Sequence, residues 1–82
     1  MDVRDKALAV IIKRAADVFK VDPATLSAGT SFETDLQAKS ANYVQITTVL
    51  EDEFDVEIPY MEFKRKKTFG EAAGYVEQLV EG

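Results

Sequence analysis

The stretch TDLQAKSANYVQI, residues 34–46, decides how this chain of 82 residues reads. Up to Lys39 it is polar and turn-like. From Ser40 onward, apolar residues recur at helical spacing, with Tyr43, Ile46, Thr47, Leu50 and Phe54 on one stripe. Ser40 stands at the junction. Serine is a favoured helix N-cap because its oxygen accepts a bond from an unpaired N–H of the first turn, so capping is its expected local role. The helix it opens is predicted to run to about Glu53. Pro59 then biases Ile58 away from helical geometry and ends the element.

Upstream, Leu8, Ile11, Ile12, Ala15, Val18 and Phe19 follow the spacing of one buried face and predict a helix over about 3–20. Asp2 or Asp5 suits its start. Asp22-Pro23 reads as a turn or a fresh N-cap, since proline fits a first helical position. The loop SAGTSFETDL then leads to Ser40, with Phe32 and Leu36 expected to pin it to the core. Downstream, YMEFKRKK is read as a short helical turn with Met61 or Phe63 inward. Thr68 and Glu71 have capping-box spacing ahead of a last helix, whose inner face is Phe69, Ala72, Ala73, Val76 and Leu79. No stretch alternates as a strand would. The expectation is an all-α fold in a single domain, 1–82: a small four-helix bundle, three main helices and one short one, with a long loop between the first two.

Composition narrows the function. There is no cysteine and no histidine, which removes thiol chemistry, the usual general base near neutral pH and the commonest metal ligand. The acidic run Glu51, Asp52, Glu53, Asp55 and Glu57 lacks the spacing of a calcium loop, so no metal site is expected. A net charge of −5 argues against nucleic acid. No apolar run nears the ~20 residues of a membrane span, and MDVRDKALAV lacks the features of a signal peptide, so a cytoplasmic location without membrane insertion is the default. Monomer is the default oligomeric state, because each long apolar stripe has a core to enter.

The order of these features resembles the acyl carrier protein family. The family pattern is Phe-x-x-Asp-Leu, a short gap, Asp-Ser-Leu opening a helix, then an acidic run, an aromatic and Ile-Pro. Phe32, Asp35, Leu36, Ser40, Leu50, EDEF, Ile58 and Pro59 occupy the matching places, and the flanks fit as well. The resemblance implies 4′-phosphopantetheine attached to Ser40 by a phosphopantetheinyl transferase. It implies no catalysis by the chain itself, and partner enzymes that load and process an acyl group held as a thioester. By the same resemblance Tyr43, Ile46, Thr47 and Leu50 line the acyl cavity, and Val44, Thr48 and Glu51 fall on the partner-docking face.

Three departures stand out. The family's Asp-Ser-Leu is Lys39-Ser40-Ala41 here, and no acid follows Ser40 until Glu51. Lys39 is either a solvated charge or a neighbour of the arm's phosphate. Tyr43 and Thr47 put hydroxyls on the cavity face, as a short or functionalised acyl chain would suit, or else they simply fill space. KRKK, Lys64 to Lys67, is either a solvated turn or a docking patch. A specialised carrier in a lipid or secondary-metabolite pathway, of the fatty acid or polyketide kind, is the leading expectation. An aminoacyl or peptidyl carrier, and a helical interaction module without a prosthetic group, stand as alternatives.

Overall fold

The computed structural model describes residues 2–82; Met1, part of the expected 1–82 domain, lies outside the described residues. Among these residues four α-helices form: α1 (Val3–Phe19), α2 (Ser40–Phe54), α3 (Tyr60–Lys64) and α4 (Phe69–Glu81), with a 3-10 turn at Pro23–Thr25. The expected three long helices, short helix and long α1–α2 connection are all present. The one extended pairing described is an isolated antiparallel bridge between Ser31 and Thr68.

Short polar side chains start three of the elements. Asp2 caps α1, its Oδ1 accepting the Asp5 N–H at 2.8 Å. Asp22 caps the 3-10 turn through the Ala24 N–H at 2.9 Å, with Pro23 in the first position. Thr68 caps α4, its Oγ1 accepting the Glu71 N–H at 3.2 Å. The α1 and α2 ends turn off through Lys20 and Asp55 in the left-handed region, φ 57° and 53°.

The inner face of α1 is narrower than its apolar residues suggest. Ala7, Ile11 and Ala15 are fully buried, while Leu8, Ile12 and Phe19 are half-buried and Val18 stands outside the core cluster. Two small residues on that line let α4 close in, and α4 answers with buried Ala72 and Ala73. Gly70, at the start of α4, has the same purpose toward the loop. Its N–H donates to the Ala28 carbonyl at 2.8 Å, and a Cβ there would meet that oxygen at 3.1 Å. In α3, Phe63 is the inward residue and Met61 is 62% exposed.

A loop residue holds the centre. The Phe32 ring is 5.2 Å from Tyr43 of α2, 6.0 Å from Phe63 of α3 and 4.8 Å from Phe69 of α4, measured between centroids. Tilted and edge-on ring pairs at such distances add attraction to burial. Backbone bonds fix the loop beside α4: the Phe32 N–H donates to the Lys67 carbonyl at 3.1 Å and the Phe69 N–H to the Thr30 carbonyl at 3.0 Å. No described helix is long and apolar enough to cross a membrane.

Phe32→Ala should therefore cost about 3–5 kcal/mol, comparable with the roughly 3–5 kcal/mol that a core of this size supplies. The expected outcome in urea, followed by far-UV circular dichroism, is a domain largely unfolded before denaturant is added. A midpoint close to that of the wild type would show that the four rings do not carry the fold.

Candidate functional site

The residues from Phe32 to Ser40 are wound into place by short-range bonds. Asp35 Oδ2 accepts the Ser31 N–H at 2.7 Å, and Ser31 Oγ accepts the Thr34 N–H at 3.1 Å. Gln37 takes a left-handed conformation, φ 52°, and the following Ala38 N–H returns to the Phe32 carbonyl at 2.9 Å. This turn aims the chain into α2.

The N-cap of α2 is Lys39, and Ser40 is the first helical residue. That corrects the expectation that Ser40 caps the helix. Asn42 does part of that work instead, its Oδ1 accepting the Lys39 N–H at 2.8 Å, which is half of a capping box. The Lys39 carbonyl receives the N–H groups of Asn42 and Tyr43. The N–H groups of Ser40 and Ala41 have no acceptor within the helix, as the geometry of a helix start requires. Ser40 is exposed, and no hydrogen bond engages its hydroxyl among the described residues. The first turn contains no acid, so the positive end of the helix dipole meets a lysine instead of a carboxylate. This is the reverse of what a helix start favours, and it makes the spot receptive to an anion. An exposed hydroxyl and free N–H groups at a helix start, with a lysine at the preceding position, fit a phosphodiester.

Of the expected stripe of α2, Ile46 and Leu50 are fully buried and Tyr43 and Thr47 nearly so, while Phe54 is only half-buried against the core. The two hydroxyls on it differ. Thr47 Oγ1 donates to the Val44 carbonyl at 3.1 Å, and Thr48 Oγ1 donates to the same carbonyl at 2.8 Å. The Thr47 hydroxyl is thus already satisfied within its own helix, which weakens its case as a partner for polar cargo. Tyr43 packs its ring on Phe32, and its phenol lies where burial, then the charge of Glu33, then Tyr60 push its pKa above the ordinary 10.0. Tyr43 also borders a cleft of about 230 Å³ with Glu33, Ala38 and Lys64 to Lys67. The periodicity of α2 gave no hint that the basic run lies beside this site. Its signal is tertiary, in the backbone bond from Phe32 to Lys67.

On the outer face, Val44 is 48% exposed and Thr48 is exposed. Glu51 is half-buried, and its Oε2 accepts the Ile58 N–H at 2.8 Å, tying the end of α2 to the turn before α3. One oxygen of that carboxylate is therefore structural. No group of three acidic side chains among the described residues is placed to hold a metal ion.

A family model described as a phosphopantetheine attachment site matches residues 9–76. Among curated relatives, an acyl carrier protein of Lactobacillus acidophilus is 43% identical over 61 residues, covering 74% of this chain and 76% of that protein. One of Bdellovibrio bacteriovorus is 33% identical over 78 residues, 95% of each. One of Thermosynechococcus vestitus is 33% identical over 79 residues, 96% of this chain and 93% of that protein.

Alkaline unfolding tests the placement of Tyr43. A phenol whose folded pKa is raised gives stability that is complete below the unfolded value, near 10.0, and is lost as pH climbs toward the folded value. Stability should fall above about pH 10, and Tyr43→Phe should flatten that fall. Tyr75, raised by burial and then by Glu62, supplies the remainder. Equal slopes for the two proteins would place the Tyr43 phenol in ordinary solvent.

Proposed function

The chain belongs to the acyl carrier protein family, non-catalytic carriers of 4′-phosphopantetheine, and from that premise we propose that Ser40 is the attachment point of the arm. The observation that carries the assignment is that the Ser40 hydroxyl is exposed and unbonded at the first position of α2, with capping done by its neighbours. A serine relieved of capping has its oxygen available for a transferase. The arm, when bound, supplies a thiol that holds an acyl group as a thioester, a group this cysteine-free chain does not have.

The roles of the surrounding residues follow from position. Lys39 and the Ser40 and Ala41 N–H groups would hold the phosphate, through charge and donors at the helix start. Tyr43, Ile46, Thr47 and Leu50 form the wall behind which an acyl chain is sheltered, and Tyr43 is the member with a phenol free to meet a polar substituent. Val44 and Thr48, with one face of Glu51, present α2 to partner enzymes. A carrier of this family works with a phosphopantetheinyl transferase and acyl-handling enzymes. The tether raises the effective concentration of the acyl group at each of them.

The departures at Lys39 and Ala41, and the lack of acids in the first turns of α2, support a specialised carrier with dedicated cytoplasmic partners over a general one. The family match sets aside a module without a prosthetic group. The acyl carrier relatives favour acyl over aminoacyl cargo.

Incubation with coenzyme A and a promiscuous transferase should add the mass of one arm to the intact protein and none to Ser40→Ala. An unmodified chain, both in that reaction and in the native host, would overturn the assignment.

Lys39 has its own test. Lys39→Asp should stabilise the unmodified protein by about 1 kcal/mol, through a side-chain cap and a favourable dipole. Attachment of the arm should raise the melting temperature of the wild type more than that of the variant. An equal rise in both would remove Lys39 from the phosphate site.

A further inference from the structure

The basic run is the feature that the family reading leaves unused. Its position is set by the fold: the Phe32 N–H bond to the Lys67 carbonyl ties it to the loop that ends at Ser40. The resulting cleft has Ala38 and Tyr43 on one wall and Lys64, Arg65, Lys66 and Lys67 on the other, and Glu33 is the one carboxylate in its lining. Tyr43 lies three residues after Ser40, so the two share a side of α2. In a chain of net charge −5, the cleft bordered by Ala38 and Tyr43, the residues two before and three after Ser40, is therefore cationic.

Local structure accounts for only part of this charge. Lys64 closes α3, where a cation suits the helix dipole. Lys66 is half-buried with its Nζ 4.8 Å from the centre of the Tyr75 ring. Arg65 meets Glu62 at 3.4 Å, but both side chains are largely exposed, so the pair contributes little and leaves the guanidinium accessible. Lys67 lends the fold its carbonyl alone; its ammonium is exposed and meets no carboxylate within salt-bridge distance among the described residues. The surface of α2 that would balance this charge carries no acid before Glu51.

We infer that Lys64, Arg65 and Lys67 form a docking face for an acidic surface on the enzymes that act at Ser40. The inference rests on Ser40 being the attachment point. Charge complementarity selects the partner: like charges across an interface are rejected, and opposite charges speed encounter and fix register. The cleft is too short and too narrowly basic to track a nucleic acid backbone, and no row of exposed aromatics accompanies it. An enzyme carrying Asp and Glu around the mouth of its active site meets both the cations and the serine beside them.

A charge-swap experiment tests this. The carriers are the wild type and the triple variant Lys64→Glu/Arg65→Glu/Lys67→Glu, all at exposed positions; Lys66 is kept because it packs on Tyr75. The enzymes are a promiscuous transferase that modifies ordinary acidic carriers, and a copy of it with its basic docking residues changed to glutamate. The readout is the ratio of kcat/KM for variant over wild type with each enzyme, which cancels any activity lost in the redesign. Binding affinities of each enzyme for the two carriers give the same ratio if the redesigned enzyme does not turn over. The ratio should exceed about tenfold with the basic enzyme, fall below about one-tenth with the acidic one, and approach unity as salt is added. Ratios within about twofold of unity for both enzymes, with Ser40 modified normally, would overturn the docking face alone. Absence of the arm in every pairing, together with an unmodified chain in the native host, would overturn the Ser40 assignment, and this inference with it.

Discussion

The contact on which the rest depends is made by a loop residue. Phe32 places one ring among Tyr43, Phe63 and Phe69, and so bonds the approach to Ser40 to three helices at once. Its backbone N–H is held by Lys67 and its carbonyl by Ala38. Remove that side chain and α3, a single helical turn and a half, keeps its packing on α2 but loses the ring that joins Phe63 to α4 and the loop. The long loop is therefore as much a part of the core as the helices, and its ordered path delivers Ser40 to the surface in one orientation. With Ser40 as the attachment point proposed, that suits a tethered substrate: the arm would swing while its root stays fixed.

The three long helices were legible because each is long enough for its period to show. What stayed hidden has a common physical origin. Ala7 carries too little apolar surface to read as the centre of α1, yet small side chains on α1 and α4 are what allow the two to close together. The capping role given to Ser40 belongs to Lys39 and Asn42, because a helix start has several unpaired groups and more than one polar residue within reach. The hydroxyl of Thr47 returns to its own helix, an option open to any helical threonine and invisible in the pattern of burial. The join between residues 28–32 and 67–70 is long-range backbone pairing, which no local spacing encodes.

The electrostatics follow from the same geometry. Helix starts favour acids, and this one has a lysine at its cap and no acid in its first turn. In the unmodified chain that arrangement opposes the helix. With the arm on Ser40, as proposed, a phosphodiester would reverse the sign of the interaction, since the free N–H groups and the dipole would then face an anion. Attachment and local stability would then be linked: the part of the fold that is least favourable without the arm is the part the arm would complete.

That linkage bears on specificity. A carrier is distinguished from its relatives by the surface around its serine, because the arm is common to all of them. Here the usual negative signal near the serine is absent from α2, and a positive one arrives instead from α3 and the turn that follows it. With the docking face inferred above, partners with basic faces would be excluded by repulsion at the same positions where acidic ones are admitted. Discrimination of this kind needs both halves, since a merely neutral surface would bind every enzyme weakly. The bond between the Phe32 N–H and the Lys67 carbonyl ties the basic run to the loop that leads to Ser40 while leaving the core to Phe32, Phe63 and Phe69, so the charge on this surface can change without changing the fold.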